Sequence, residues 1–479
     1  MSIDPAEPVP LYFQLKALLT EQILNGRYGP GERLPTEQEL CERYGISRNP
    51  VHRAVSELAA EGVVLRRRRR GTFVNPHWFR RQSNVAEVRV IVPEGSWAAQ
   101  IRAAVGESMR LNIVTVPLPS LHRTLTQAVG EGHGPDLAVL DSVWGAEFAQ
   151  ASFLLALEDL DGDWVRDVYE ADFLPPFVSA NRHDGATVAV QAEADVAGLW
   201  FRRSALDDVG APPPVTWDDL FQAAQALRRA SARPSVALPG GRRAGETTTY
   251  CLLALLAAND ARVLGRDRVM LDTPGTVETL RFLRALVDAQ IVSRDAADYE
   301  WNQAILMLAR GTVAIAFGGS YDAQTLADEG GLAFQAVLDE FGFIPMPAGP
   351  RGRQATLAGG MAFAIFRQAR HPDLVMQLLR RLAEPEALAT AARTTGQIPP
   401  RRSAVQAVAQ DLPLLAETAA MLPSATLRPA IPTYPRISEQ LQTMVEGVLL
   451  GRRRPAAAVA HTAELIAAIT GWPRHGRRT

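Results

Sequence analysis

The stretch from Thr36 to Val74 constrains the fold more than any other part of the 479-residue chain. Thr36 followed by Glu39 is a capping box, in which a hydroxyl and a carboxylate satisfy each other's orphan backbone N–H groups at a helix start. The short helix it opens carries Leu40 inward and stops near Tyr44-Gly45. Ser47 caps the next helix, with Val51, Ala54, Val55 and Leu58 on its core face and Arg48, Asn49, His52 and Arg53 opposite, near its start. Pro50 falls in the first turn, where a missing N–H costs nothing. Gly62 ends that helix. Val63–Leu65 and Thr72–Val74 then read as two strands around a tip running from Arg66 to Gly71.

Upstream, Leu11, Leu15, Leu18, Leu19 and Ile23 recur at helical spacing and predict an amphipathic first helix, with Gln14, Lys16 and Glu21 off its apolar stripe. Asn25 to Arg33 is a Gly-Pro loop. Two short helices joined by a tight Gly turn, the second showing polar and basic groups at its start, form a helix-turn-helix whose side chains meet base edges in the major groove. The arginine hairpin is a wing suited to phosphates or the minor groove.

Charge is distributed accordingly. The chain has a net charge of −2, yet residues 1–83 hold 13 Lys/Arg against 9 Asp/Glu. From Gly62 to Ala86 there are seven arginines and no acid, the composition of a polyanion-binding segment.

These residues closely resemble the GntR family of bacterial regulators, through PLYFQLKALLTEQI, PGERLPTEQELCERYGISRNPVHRAVSELAAEGVV and RRRRRGTFV, over residues 8–75. The resemblance implies binding of double-stranded operator DNA by a homodimer. It places Arg33, Arg43, Arg48 and Gly71 around the DNA and Thr36 and Glu37 at the start of the second helix. Ser47, Asn49, His52 and Arg53 on the third helix and Arg67, Arg68, Arg69 and Arg70 on the wing complete the expected interface. Many members have Arg where this chain has His52, with Arg53 one place later.

The remainder reads as α/β. Asn75 to Ala86 lacks periodicity and looks like a linker. Val88–Val92, Asn112–Val116 and Leu137–Leu140 are strand-like runs separated by the helix-like segments Ala98–Met109 and Leu121–Gly130, which predicts a largely parallel sheet with ligands at the strand C-terminal ends. The loops there pair an acid with an aromatic, Glu94 with Trp97 and Asp141 with Trp144. Carboxylates hold hydroxyls and an indole covers the apolar face of a sugar ring.

Seven segments in order resemble the extracellular solute-binding proteins that deliver sugars to ABC importers. They are PDLAVLDSVWGAEFAQASFLLALEDL, ADVAGLWFRRSALDDVGAPPPVTWDDLFQAAQALR, ARGTVAIAFGGSYD, FGFIPMPAGP with LAGGMAFAIF, HPDLVMQLLRRLAEPEALA, TGQIPPR and VEGVLLGRRRPAAAVAHTAELIAAI. The resemblance implies a type II periplasmic-binding-protein-like fold of two α/β lobes closing over a small polar solute, a carbohydrate first. Crossings are expected near Gln191–Glu193, Phe341–Pro345 and Ile398–Pro399. The implied ligand positions are Glu94, Trp97, Asp141, Trp144, Glu193, Asp195, Ser320, Tyr321, Gly360, Met361 and Tyr434. Several sugar-binding members have Trp where this chain has Tyr321 and Met361. Trp200, Trp217 and Trp301 are read as packing residues.

The expected architecture is multidomain: a winged helix-turn-helix over 1–75, a linker over 76–86 and a solute-binding-protein-like domain over 87–475. Its first lobe would take about 87–190 and 343–396, its second about 194–340 and 399–475.

Composition removes several chemistries. Of 50 basic residues only Lys16 is a lysine, so the chain lacks the Schiff-base Lys of a pyridoxal-phosphate domain and the phosphate-binding Lys of a P-loop. The eight histidines form no HExxH or Cys/His cluster, GGSYD is not a GxSxG elbow, and the two cysteines indicate neither a disulfide framework nor a metal knuckle. No enzyme, cofactor or metal is expected. The acidic N-terminus does not read as a signal peptide and no run reaches the roughly 18 apolar residues of a membrane span, so the chain is expected in the cytoplasm without a membrane partner. A transporter's substrate-binding component with a vestigial N-terminal domain is the alternative.

Overall fold

The computed structural model describes residues 3, 10–24, 27–67, 70–76, 78, 86–105, 109–409 and 412–475. The chain divides into two compact units, residues 1–138 with 365–378, and residues 139–364 with 379–479.

The first unit opens with α1 (Leu11–Leu24), α2 (Glu37–Tyr44) and α3 (Arg48–Ala60), followed by the antiparallel hairpin β1 (Val64–Arg67) and β2 (Gly71–Val74). Leu15, Leu19 and Ile23 of α1 meet Leu40 of α2 and Val51, Ala54, Val55 and Leu58 of α3 in one apolar cluster. The Thr36–Glu39 capping box is formed, and Gly45 ends α2 in the left-handed conformation at φ 65°. Such a cap is worth about 1 kcal/mol. Ser47 stands at the N-cap position of α3, but its side chain makes no capping hydrogen bond.

Three expectations shift here. Gln14 and Lys16 are buried rather than off the core face. Lys16 Nζ donates to Glu57 Oε2 at 3.1 Å and Glu61 Oε1 at 2.5 Å, so its aliphatic stem packs inside while partners 41 and 45 residues away hold its charge. The strands of the wing are longer than read, because Arg66 and Arg67 pair with Thr72 and Gly71 in the ladder. Trp78, expected in the linker, is only 7% exposed and belongs to the N-terminal cluster, with the Arg110 guanidinium 5.4 Å from its ring centre. Of the remaining linker, residues 77 and 79–85 lie outside the described residues.

The same unit contains β3 (Ala86–Pro93), β4 (Met109–Val116) and the start of β5 (Leu137–Asp141). β3 runs parallel to both others, with Val90 opposite Ile113 and Leu137, as the apolar runs predict. The intervening helices are Trp97–Ala104 and Leu118–Gly130, so the first ends five residues before Met109, which begins β4. Asp136 fastens the unit from within: its buried carboxylate accepts from the Arg89 backbone N–H at 2.6 Å, from Arg89 Nη2 at 3.0 Å and from the Arg370 N–H at 3.0 Å.

The second unit is built on β9 (Asp195–Arg202). Between β5 and β9 come the short hairpin β6 (Arg182–His183) and β7 (Ala186–Thr187) and then β8 (Val190–Gln191). Further strands are β10 (Val236–Ala237), β11 (Ile315–Gly319), β12 (Phe341–Ile344), β13 (Leu357–Gly359), β14 (Met361–Ile365) and β15 (Thr426–Leu427). β9 is antiparallel to β11, β12 and β13, while β10 with β11 and β13 with β15 are parallel. This sheet is therefore mixed, whereas the parallel pairing expected from the apolar runs between 88 and 140 is that of β3, β4 and β5. β9 is buried on both faces and reads as an apolar run whichever way its neighbours point.

Trp200 is fully buried and donates from Nε1 to the Gly319 carbonyl at 2.8 Å. Trp217 stacks on Phe282 with centroids 4.6 Å apart. Trp301, read as a packing residue, is instead 37% exposed at a turn before a helix.

The chain steps from β8 to β9 through residues 192–194, and the bridge between Ala194 and Ile398 brings the third expected crossing to the first. The middle crossing is misplaced in the sequence reading. Phe341–Ile344 does not leave the sheet: it pairs with β9 from Arg202 to Leu199, and Phe343 packs 4.7 Å from Trp200. Residues 343–359, assigned above to the first lobe, thus reach β13 while still beside β9. The step comes at Gly360, where β13, paired with β9, gives way to β14, paired with β8. Gly360 has φ +131°, and a side chain there would come 2.1 Å from the Glu193 carbonyl oxygen, so only glycine fits. Among the described residues no helix is long and apolar enough to cross a membrane.

Candidate nucleic-acid interface and solute-binding site

In the N-terminal region, Arg48, Asn49, His52 and Arg53 are all exposed along α3, as its helical periodicity requires. Their engagements differ. Arg48 and Asn49 make no side-chain hydrogen bond or ion pair among the described residues. Arg53 lies over the Tyr12 ring at 3.7 Å and donates to Glu57 at 3.2 Å, so α1 and α3 hold its guanidinium. His52 Nδ1 lies 3.1 Å from Glu37 Oε1, and Arg66 Nη2 donates to that same oxygen at 2.7 Å. Glu37, at the start of α2, therefore ties α3 to the wing.

Arg43 donates to the Tyr28 hydroxyl at 3.0 Å. Arg33 bridges to Phe73, and its guanidinium crosses Gly71 so closely that a side chain at Gly71, φ +109°, would come 2.7 Å from Nε. Glycine there lets the wing fold over Arg33. Arg67 covers the Phe73 ring at 5.3 Å, and Arg70 is exposed at the tip. Arg68 and Arg69 lie outside the described residues. Exposed guanidinium groups on a helix start and on a hairpin suit base edges and phosphates respectively.

Glu94 and Trp97 belong to the first unit: Glu94 is exposed in the loop after β3, and Trp97 is 7% exposed at the start of the next helix. The other solute-site candidates fall in the second unit, where several converge. Asp141, ending β5, receives Arg428 Nη2 at 2.8 Å and Nη1 at 3.0 Å, and also caps the following turn by accepting from the Val143 N–H at 3.2 Å. Arg428 Nη1 donates to Glu246 Oε1 at 3.1 Å. Tyr434, only 1% exposed, donates its hydroxyl to Glu246 Oε1 at 2.6 Å, and Ser438 donates to Oε2 at 2.6 Å. The Tyr250 hydroxyl donates to Asp195 Oδ1, and the Arg428 guanidinium lies 5.3 Å from the Tyr250 ring centre. Tyr321 stands beside Tyr250, centroids 6.1 Å apart.

Gly359 makes this convergence possible. A side chain there would come within 2.9 Å of Asp195 Oδ1 and of the Tyr250 ring, and within 3.0 Å of Arg428 Nη2.

The electrostatics follow from one cation among several carboxylates in low dielectric. Burial lifts Glu193 to about 8, with Asp195 adding to the effect, and no hydrogen bond to its carboxylate compensates among the described residues. Burial also lifts Asp195, but the Tyr250 hydroxyl and Arg428 pull it back to about 6. Glu246 is raised by burial against the pull of Arg428. Asp322, buried below the Gly319 N–H, which donates to it at 2.9 Å, is raised to about 7.

Ser320 is 1% exposed, and its Oγ accepts from the Val196 N–H at 3.1 Å. The Gly360 carbonyl accepts from the Ser142 N–H at 3.2 Å, and the Met361 carbonyl from the Ala192 N–H at 2.8 Å. Trp144 is half-buried against the apolar cluster of this unit. The arrangement can donate and accept hydrogen bonds around aromatic rings, the equipment of a polar-solute site. Among the described residues no three His, Cys, Asp or Glu side chains are placed to hold a metal ion.

Both Asp141 oxygens accept from Arg428 and the Tyr434 hydroxyl donates to Glu246, so these side chains are held by partners within the protein. A charge so far from bulk water needs a partner, and the protein supplies one. Sequence reasoning missed Arg428, Glu246, Tyr250 and Ser438. Arg428 sits in the aperiodic LRPAIPTYP, and Glu246 opens a helix that is otherwise polar and then apolar, so only their long-range pairing marks them.

Residues 96–418 match the family model described as bacterial extracellular solute-binding protein, and residues 11–74 that of bacterial regulatory proteins, gntR family. A protein of Brucella abortus (strain 2308), named as a binding protein, is 23% identical over 401 residues, covering 80% of this chain and 92% of its own. The HTH-type transcriptional repressor NagR of Bacillus subtilis is 44% identical over 75 residues, 16% of this chain and 31% of its own length. Among solved structures, the GacH receptor of Streptomyces glaucescens, solved unliganded and with acarbose, superposes with TM-score 0.73 at 20% identity, covering 81% of this chain and 99% of that one. A Thermotoga lettingae ABC transporter solute-binding protein bound with α-D-tagatose gives TM-score 0.72 at 22% identity, with 81% and 100% covered. At these identities the likeness shows the fold, two-lobed and periplasmic-binding-protein-like. The matched families are DNA-binding regulators and solute-binding proteins, both non-catalytic kinds. The chain thus belongs to the bacterial extracellular solute-binding protein family and carries, ahead of that region, a helix-turn-helix of the gntR family of bacterial regulators.

Proposed function

We propose that the chain is a ligand-responsive transcription regulator of the cytoplasm. Residues 1–75 bind operator DNA, and the solute-binding-protein-like region from residue 87 onward senses a small polar solute, a carbohydrate first. The observation that carries this is the joining in one chain of exposed arginines on a helix-turn-helix and wing with a buried polar and aromatic cluster on a solute-binding fold. A homodimer would present two α3 helices to two half-sites of a symmetric operator. Arg48 and Asn49 would read bases, while Arg67 to Arg70 would meet phosphates. Asp195, Glu193, Tyr321, Trp144 and Met361 would line the solute site. Likeness to a transcriptional repressor at one end, and to a solute-binding protein bound with α-D-tagatose and a receptor in complex with acarbose over the rest, favours this division of labour. Solute binding would favour one of two lobe arrangements and so alter the presentation of the DNA-binding regions.

The test is a thermal-shift screen of the full chain against sugars and polyols. A ligand at about 100 times its dissociation constant adds roughly 2.7 kcal/mol to stability. A sugar that raises the melting temperature supports the reading; shifts confined to non-carbohydrates overturn the solute class.

A further inference from the structure

We propose that Asp141 and Arg428 form a latch: the ion pair holds the turn after β5 against the segment after β15, so Asp141 acts in closure rather than in recognising a solute hydroxyl. The inference rests on the solute-sensing reading and assigns a role within that same site.

Charge counting separates a latch from simple neutralisation. Arg428 bears one positive charge and faces two carboxylates, Asp141 and Glu246. Glu246 alone balances it. Glu246 opens the helix Glu246–Ala257, whose Tyr250 and Cys251 pack with β9 and β11 residues in the core of the second unit, and Arg428 directly follows β15, which pairs with β13 beside β9. The Arg428–Glu246 pair is thus internal to the β9 sheet and its helices. Asp141 comes from elsewhere: it ends β5, and the next N–H, of Ser142, bonds to Gly360, where the chain leaves the β9 sheet for β14. Among the described residues, Asp141 is the one hydrogen-bond partner of Arg428 outside the β9 sheet and its helices.

Both halves are stiff. Asp141 is fixed by capping Val143, and Arg428, its side chain 5% exposed, is held between Gly359, Tyr250 and Glu246. Its Nε is buried without a hydrogen-bond partner, so the two terminal nitrogens alone set its position, and Asp141 takes both. Separating the two groups would expose Arg428 to solvent without leaving it unpaired. Opening therefore breaks one bidentate contact and strands no charge.

The experiment measures modification of Arg428 by phenylglyoxal in the full chain, mapped by peptide mass spectrometry, with no solute or DNA added. Exposed Arg48 is the internal reference. In the unaltered protein Arg428 should react at least about tenfold more slowly than Arg48. Asp141→Asn keeps the cap on Val143 and removes the charge; it should speed the reaction of Arg428 about tenfold or more. Glu246→Gln also removes one carboxylate from Arg428 but leaves the Asp141 contact, and should change the rate less than about threefold. If both substitutions accelerate the reaction equally, or Asp141→Asn leaves it slow, the latch is overturned and the pair is ordinary neutralisation. Asp141→Ser, which retains a capping oxygen, replaces the Asn variant if that fails to melt cooperatively. Because neither solute nor operator enters the measurement, a negative result leaves the sensor reading standing.

Discussion

Replacing Glu193 by Gln should change the pH dependence of stability with a defined sign. Glu193 follows the step out of β8, its backbone N–H bonded to the Met361 carbonyl at 3.3 Å, and burial lifts its pKa from the ordinary 4.5 to about 8. A raised carboxyl pKa means that the folded protein holds a proton which the unfolded chain has released. Stability should therefore fall as pH rises from about 4.5 to about 8 and level off above that range. A tenfold difference in proton affinity corresponds to about 1.4 kcal/mol, so the rise of Glu193 as a whole sets a ceiling of about 5 kcal/mol. Glu193 is only partly withdrawn from solvent, and screening reduces the expected penalty to about 1–2 kcal/mol. The Gln variant has no proton to lose. It should melt close to the parent at pH 5 and about 2–8 °C above it at pH 8.5. Differential scanning calorimetry at the two pH values provides the comparison. An equal offset at both values, or a variant less stable at pH 8.5, would refute the assignment of a protonated, desolvated carboxyl.

Arg48→Ala should weaken binding to a promoter fragment by about 1–3 kcal/mol in fluorescence anisotropy while leaving the melting temperature within about 2 °C, since the side chain is exposed and unengaged. Thr36→Ala removes the hydroxyl half of the capping box, while the backbone N–H at 36 still donates to Glu39, and should cost about 0.5–2 kcal/mol of N-terminal stability in urea denaturation. Gly360→Val combines a φ of +131° with a side-chain approach of 2.1 Å to the Glu193 carbonyl, and should destabilise the second unit by about 3 kcal/mol or more in the same assay. Trp78→Ala should lower the stability of the helix-turn-helix, because the indole closes its core; unchanged denaturation would return this residue to the linker.

What could be read beforehand follows the range of the interactions involved. Capping at Thr36, the helix stop near Tyr44-Gly45 and the core face Val51-Ala54-Val55-Leu58 are all settled by neighbours within about four residues, and the structure has them as read. β3, β4 and β5 were legible for the same reason: a buried parallel strand must be apolar along its length. The failures are long-range. Lys16 looked solvent-facing because its carboxylates lie on α3 and just beyond it. Phe341–Ile344 looked like a crossing because its alternation and the following prolines do not reveal that β9 is its partner. Asp141, Asp195 and Tyr434 were singled out through resemblance as candidate solute-site residues, yet the guanidinium and carboxylate that pair with Asp141 and Tyr434, Arg428 and Glu246, lie 182 residues apart. No local pattern records such a pair.

The central claim is that the solute-binding region governs the DNA-binding region. It is tested most directly by titrating a fluorescent promoter fragment with the full chain, with and without a saturating amount of a sugar that raises the protein's melting temperature. A shift of about 5- to 150-fold in operator affinity, in either direction, is the expected outcome, mirrored by an equal change in sugar affinity when DNA is present. Identical operator affinity at saturating sugar would contradict the account.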